Sequence, residues 1–223
     1  MDILRYDEAT GLSFRVRPAN GRPLGRLFLL HGVGGNETNL MPLAHDLPEQ
    51  IELVFVRGPL TLGPGQYAWF QVRFGTNGPV INPDQADASR VRLRDLARAL
   101  GKDDGQEPIP AVMAGFSQGG ILSASVALSA PDDVAHFAVL SGRILPELEP
   151  HLAPREKLAL VSAFIAHGEH DDKLRVAFAE HADAWLTQLG VPHETRFYPI
   201  GHSLNADVVR DLTRWLSQKI NIA

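Results

Sequence analysis

Short runs of apolar residues alternate along the chain with longer segments in which apolar residues recur every three or four positions. Leu27-Phe28-Leu29-Leu30, Leu53-Val54-Phe55-Val56, Ala111-Val112-Met113-Ala114, Phe137-Ala138-Val139-Leu140, Ala163-Phe164-Ile165-Ala166 and Thr195-Arg196-Phe197-Tyr198 each read as a strand. Most are apolar at consecutive positions and so on both faces, as a parallel sheet covered on both sides requires. Between them, Leu40/Leu43/Ala44/Leu47, Leu93/Leu96/Ala97/Leu100, Phe178/Ala182/Trp185/Leu189 and Val208/Leu212/Trp215/Leu216 each fall on one face of a helix. This alternation predicts an α/β fold, a mostly parallel central sheet with helices on both faces. Gly101 and Gly190 stand where C-terminal helix caps belong. Leu12-Ser13-Phe14-Arg15-Val16 alternates instead, as an antiparallel edge strand or hairpin would. Residues 58–83, dense in Gly and Pro, and residues 143–156, with Pro146, Pro150 and Pro154, lack periodicity and read as loops. They are either walls of a ligand cleft at the carboxyl ends of the strands or ordinary surface excursions.

Composition adds exclusions. A chain of 223 residues with 44% apolar and 21% charged side chains is expected to form one globular domain over residues 1–223. With 26 acids against 21 bases and no dense Lys/Arg run, nucleic acid is not an expected partner. Acids near the start, at Asp2, Asp7 and Glu8, do not suit a signal peptide, and no apolar run reaches membrane-spanning length. A cytoplasmic location without stable membrane insertion is the default expectation. The chain has no cysteine, so disulfides, thiolate metal ligands and a thiol nucleophile all drop out. A nucleophile here must be oxygen or nitrogen.

One motif stands out against that background. Gly115-Phe116-Ser117-Gln118-Gly119-Gly120 follows the strand ending at Ala114 and precedes a helical run over residues 121–130. A bare Gly-x-Ser-x-Gly is a weak signal, but a strand before it and a helix after it make it specific. A serine at such an elbow is held in a strained conformation above the sheet, and the helix N-terminus supplies partial positive charge where an oxyanion develops.

Serine needs a base to take its proton, and imidazole exchanges protons near neutrality. In α/β-hydrolases, which this elbow resembles, the order is Ser, acid, His, with the acid and the histidine on loops after late strands. His193 precedes its strand beside Pro192, as a surface residue would. His202 follows Tyr198-Pro199-Ile200-Gly201 and precedes the final helix, the place from which a base reaches Ser117. The acid belongs in the preceding loop, His167-Gly168-Glu169-His170-Asp171-Asp172-Lys173. An orienting carboxylate must be shielded, which favours Asp171 slightly, while Asp172 could equally cap the next helix. The two histidines and the acids of this loop could also be read as a metal site, but His-x-x-His in a loop has the wrong pitch for one helix face.

After the first buried strand the chain reads His31-Gly32-Val33-Gly34-Gly35-Asn36-Glu37. Such a loop can aim backbone N–H groups at a developing alkoxide, with a helix beginning near Asn36 or Thr38 adding its dipole. It lacks the spacing and the Lys of nucleotide-binding loops, so no nucleotide cofactor is expected.

Together with Ala68-Trp69-Phe70 and Gly201-His202, these motifs resemble the small serine carboxylesterases, a group that includes acyl-protein thioesterases and lysophospholipases. The resemblance spans nearly the whole chain. It implies an α/β-hydrolase fold and a cofactor-free, metal-free esterase, with Asp171 as the acid. It also implies that the N–H groups of Val33 and Gln118 form the oxyanion hole and that Trp69 lines the acyl pocket. Gln71 stands where relatives often have aspartate, and the chain reads Gly35-Asn36 where many eukaryotic relatives have an acid after the early Gly-x-Gly. The activity so implied is hydrolysis of short to medium acyl esters through an acyl-Ser117 intermediate, with acyl-thioester or lysophospholipid hydrolysis as the near alternative. A non-catalytic hydrolase-fold protein that binds a small molecule is the alternative of another class, and such proteins usually lack a triad member. The resemblance leaves monomer and homodimer both open.

Overall fold

A computed structural model describes residues 3–75, 78–101 and 109–222. Its main sheet has eight strands in the order β1-β2-β4-β3-β9-β10-β11-β12. β1 (Arg5–Asp7), β2 (Leu12–Arg17) and β4 (Ile51–Arg57) run antiparallel in succession. β4, β3 (Gly25–Leu30), β9 (Ala111–Phe116), β10 (His136–Leu140), β11 (Ser162–Gly168) and β12 (His193–Tyr198) are parallel. The six apolar runs are these six strands, and the alternating segment is half of the edge hairpin.

Alternation within the strands divides the core in two. Phe28, Leu30, Val54 and Val56 face one side, with α1 (Pro83–Gly101), α2 (Gln118–Ser129) and α4 (Ala177–Leu189). Leu27, Leu29, Leu53 and Phe55 face the other, with Val208, Leu212, Trp215 and Leu216 of α5 (Ala206–Lys219). α2 is buried from Gln118 to Leu128, which is why it carries no charged residue on any side. Gly190 ends α4 in the left-handed conformation, φ 76°, as a C-terminal cap. Gly101 is the last residue of α1, and the capping expected of it falls on a stretch, residues 102–108, that lies outside the described residues. No described helix is long and apolar enough to cross a membrane.

Other expectations are corrected. Leu40, Leu43 and Leu47 are buried on one side as their spacing suggests, but the element is a 3₁₀ helix over Met41–His45. Pro42 opens it and Pro48 comes soon after, leaving too short a run for an α-helix. No α-helix begins at Asn36 or Thr38 either. There the Asn36 side chain accepts the Thr38 N–H at 2.9 Å, a local turn without a macrodipole. Residues 58–83 hold two hairpins, β5 (Leu60–Gly63) with β6 (Gln66–Ala68) and β7 (Val72–Gly75) with β8 (Gly78–Ile81). Residues 143–156 contain a 3₁₀ turn over Pro146–His151 and the start of α3 (Arg155–Leu158).

The chain places β4 on one side of β3 and then β9 on the other. The carboxyl ends of β3 and β9 therefore flank a switch point, the crevice in which open α/β sheets bind ligands. The glycine-rich loop leaves β3 there and the serine elbow leaves β9 beside it.

Candidate active site

Ser117 sits between β9 and α2 with φ 54° and ψ −114°, a left-handed φ that costs a non-glycine residue about 1–3 kcal/mol. Packing holds it there. A Cβ on Gly115 would lie 2.1 Å from the Gly119 carbonyl carbon, and one on Gly119 would lie 2.1 Å from Leu30 O, so α2 can approach β9 and β3 only with glycine at both positions. The Ser117 N–H donates to Leu140 O at 2.9 Å.

His202 lies in the loop between β12 and α5. Its Nδ1–H donates to Asp171 Oδ2 at 2.6 Å, and its ring packs on Phe116 with centroids 4.8 Å apart. The donation leaves Nε2 as the free nitrogen of the neutral ring. Ser117 and His202 line one cavity of about 270 Å³. Ser117 Oγ makes no hydrogen bond to the described residues, an open geometry common before substrate binds.

The loop after β11 meets the loop after β12 through backbone bonds from Glu169 N to Tyr198 O and from His170 N to Ile200 O. A Cβ on Gly168 would lie 2.4 Å from Gly201 O, so this contact requires glycine. Asp171 is buried, and its Oδ1 accepts the N–H groups of Lys173 at 2.9 Å and Leu174 at 2.8 Å. Three donors thus hold one shielded carboxylate. Asp172 points outward and pairs with Lys173 Nζ at 3.1 Å, a bond that lowers its pKa. The capping role considered for Asp172 is not there: α4 starts at Ala177 and its N-cap, Val176, offers no side-chain bond.

His167 Nε2–H donates to Leu174 O at 2.7 Å, closing the acid's loop. Its other ring nitrogen, Nδ1, is buried without a hydrogen-bond partner, and no group of three or more His, Asp or Glu among the described residues is arranged to hold a metal. His193 is half-buried at the amino end of β12, the far end from Ser117, with contacts to Val191 O and Asp183.

In the loop after β3, Gly34 N–H bonds Tyr67 O at 2.8 Å and Gly35 N–H bonds Gly32 O at 3.1 Å. The N–H groups of Val33 and Gln118 have no partner among the described residues, and both residues line the cavity. His31 Nδ1–H donates to Gly32 O at 2.7 Å while Nε2 accepts the Gly58 N–H at 2.9 Å, and burial pushes its pKa down, so it is a neutral strut under the loop.

Trp69 does not line the cavity. It is fully buried behind the loop, with Nε1–H donating to His31 O at 2.8 Å, because its indole N–H needs a partner that the apolar cavity lacks. Its neighbour Phe70 takes the wall position. The Gln118 side chain locks both, accepting Trp69 N–H at 3.1 Å and donating to Phe70 O at 2.8 Å. Gln71 is supported from α1, its N–H donating to Gln85 Oε1 at 2.8 Å.

The hairpin of β7 and β8 brings Val72, Pro79 and Ile81 to the cavity, and residues 143–156 bring Arg143. Both loops are therefore cleft walls. One buried group escaped the sequence reading altogether. Glu37 lies under the β3 loop with Arg57 Nε at 2.7 Å and Arg15 Nε at 3.2 Å. Burial pushes its carboxyl up, but these bonds outweigh burial and bring it down to about 2. The three residues come from three separate segments, so no local signal links them.

A serine on a strained elbow, with a histidine–aspartate pair beside it at the carboxyl edge of a parallel sheet, defines a serine hydrolase of the α/β-hydrolase class. Comparison with known proteins carries this further. Residues 13–220 match the phospholipase/carboxylesterase family, and the chain belongs to it. It is 25% identical to acyl-protein thioesterase 1 of Emericella nidulans, over 92% of this chain and 94% of that one. Acyl-protein thioesterase 1 of Mycosarcoma maydis is 26% identical over 92% and 95%. In fold, it superimposes with TM-score 0.79 on a carboxylesterase from Mesorhizobium loti, at 24% identity over 96% of this chain and 98% of that one. The chain is a hydrolase of ester or thioester substrates.

Proposed function

We propose that Ser117, His202 and Asp171 are the catalytic triad of an esterase acting on short to medium acyl chains. The observation that carries this reading is the 2.6 Å bond from His202 Nδ1 to the buried Asp171 carboxylate, beside the same cavity that Ser117 lines. Ser117 Oγ attacks the carbonyl carbon while His202 Nε2 takes its proton, and Asp171 stabilises the imidazolium so formed. The free N–H groups of Val33 and Gln118 receive the oxyanion, the latter at the positive end of α2. Collapse breaks the bond to the alcohol or thiol, which leaves with the proton from His202. Water, activated by the same imidazole, then attacks acyl-Ser117 and releases the acid.

The cavity of about 270 Å³ has room for a short to medium acyl chain. The thioesterases among the relatives support thioesters as a second substrate class. Two measurements test the reading. A fluorophosphonate probe is expected to label Ser117, with label and activity lost together in Ser117→Ala; labelling of another serine refutes it. Across p-nitrophenyl esters of increasing length, with an acyl thioester alongside, kcat/KM is expected to peak at short to medium chains.

A further inference from the structure

The cavity wall carries a charge that the hydrolytic steps do not use. Beyond β10 the chain turns at Ser141, a buried non-glycine residue with φ 50°. Gly142 then presses against the nucleophile: a Cβ there would lie 3.0 Å from Ser117 O and 2.8 Å from Val139 Cγ1. This strained turn delivers Arg143 to the cavity that holds Ser117 and His202.

The guanidinium is poorly satisfied there. Its Nε is buried without a hydrogen-bond partner, one terminal nitrogen makes only a long 3.4 Å bond to Pro79 O, and the group lies 5.1 Å from the Phe178 ring centre. No carboxylate among the described residues lies within ion-pairing distance of it, and no acid lines the cavity. Glu147 acts on it only from a distance, and the second cation on the wall, Lys173, is paired with Asp172. Burial depresses its pKa, yet a guanidinium does not lose its proton in proteins, so the charge stays and lacks a counter-charge. Its planar fork fits a carboxylate with two parallel bonds.

We propose that Arg143 is a specificity-determining residue that binds an ionised carboxylate on the non-reacting part of the substrate, making the preferred substrate class small esters that bear a second, anionic group. This inference rests on the esterase reading above. It goes beyond that reading by adding a charge requirement to the pocket.

Paired isosteric substrates test it. On the acyl side, mono-p-nitrophenyl succinate, glutarate and adipate are compared with the p-nitrophenyl esters of the matching half-amides. On the alcohol side, the butyryl ester of 4-hydroxybenzoate is compared with that of 4-hydroxybenzamide. The readout is the ratio of kcat/KM, acid over amide, within each pair. A ratio of about tenfold or more is expected in at least one pair, the size of a charge-assisted bond, and the arm that shows it locates the anion. Arg143→Met is expected to bring that ratio close to one and Arg143→Lys to leave it in between. Should the methionine variant fail to fold, the lysine variant and the wild-type ratios decide. Ratios near one in every wild-type pair, or a preference unchanged by either substitution, overturn the proposal while leaving the esterase reading intact. Hydrolysis of none of these esters, with no labelling of Ser117, overturns both.

Discussion

Asp171 accepts three hydrogen bonds, and the structure says which of them survive its replacement with asparagine. The amide oxygen can still accept the Lys173 and Leu174 N–H groups that Oδ1 accepts now, at 2.9 and 2.8 Å. The amide NH₂ then faces His202 Nδ1, where a carboxylate oxygen now accepts at 2.6 Å. Two donors cannot face each other, so the imidazole must shift its proton to Nε2, the nitrogen proposed to take the Ser117 proton. The variant also loses the negative charge proposed to stabilise the imidazolium. In serine proteases the same change costs about 10⁴ in kcat, equivalent to about 5 kcal/mol of transition-state stabilisation. Stability is expected to fall by only about 1–2 kcal/mol, since one charged hydrogen bond is exchanged and two backbone bonds are kept. Asp172→Asn alters a side chain that points to solvent and is expected to leave both kcat and the melting curve near wild type. Steady-state kinetics with a p-nitrophenyl ester and thermal melts on the two variants give the answer. An inactive Asp172→Asn beside an active Asp171→Asn would refute the assignment and the reading of the loop behind it.

Two further predictions concern the scaffold. Glu37 has a depressed folded-state pKa of about 2, so its contribution to stability is fully present above its ordinary value of 4.5 and is lost as pH falls towards 2. Glu37→Gln leaves two partly exposed arginines facing a neutral amide and is expected to cost about 1–3 kcal/mol near neutral pH, with a shallower acid dependence of the melting temperature between pH 4.5 and 2 than wild type; parallel wild-type and variant curves would contradict this. Gly119→Ala places a methyl 2.1 Å from Leu30 O, which forces α2 away from β3. It is expected to destabilise the fold by about 3 kcal/mol and to lower kcat with it, measured by denaturant unfolding and kinetics. Wild-type stability would show that α2 is free to shift.

Much of the site was legible because its signals are local. The elbow is six contiguous residues between a strand and a helix, and each residue type there has a steric reason that does not depend on distant partners. The parallel strands announce themselves by being apolar on both faces. His202 could be chosen among nine histidines because its place after a late strand is a property of chain order. Where local signals competed, the reading was weaker. The spacing of Leu40, Leu43 and Leu47 described the buried side correctly, but Pro42 and Pro48 confine the element to a 3₁₀ turn.

What the sequence determined by itself was the fold class, the candidate nucleophile and the order of the candidate residues after it, since periodicity and contiguous motifs are encoded residue by residue. Choices between neighbours were decided only by the tertiary structure. Asp171 and Asp172 are chemically identical, and the loop pinned by Gly168 against Gly201 turns one inward to His202 and the other to solvent. Trp69 and Phe70 are both large aromatics, and the need of the indole N–H for His31 O puts the first behind the wall and the second in it. Arg143, and Glu37 with its two arginines, take their character from groups far away in the chain. Burial and the presence or absence of a counter-charge are properties of packing, and no window of sequence contains them.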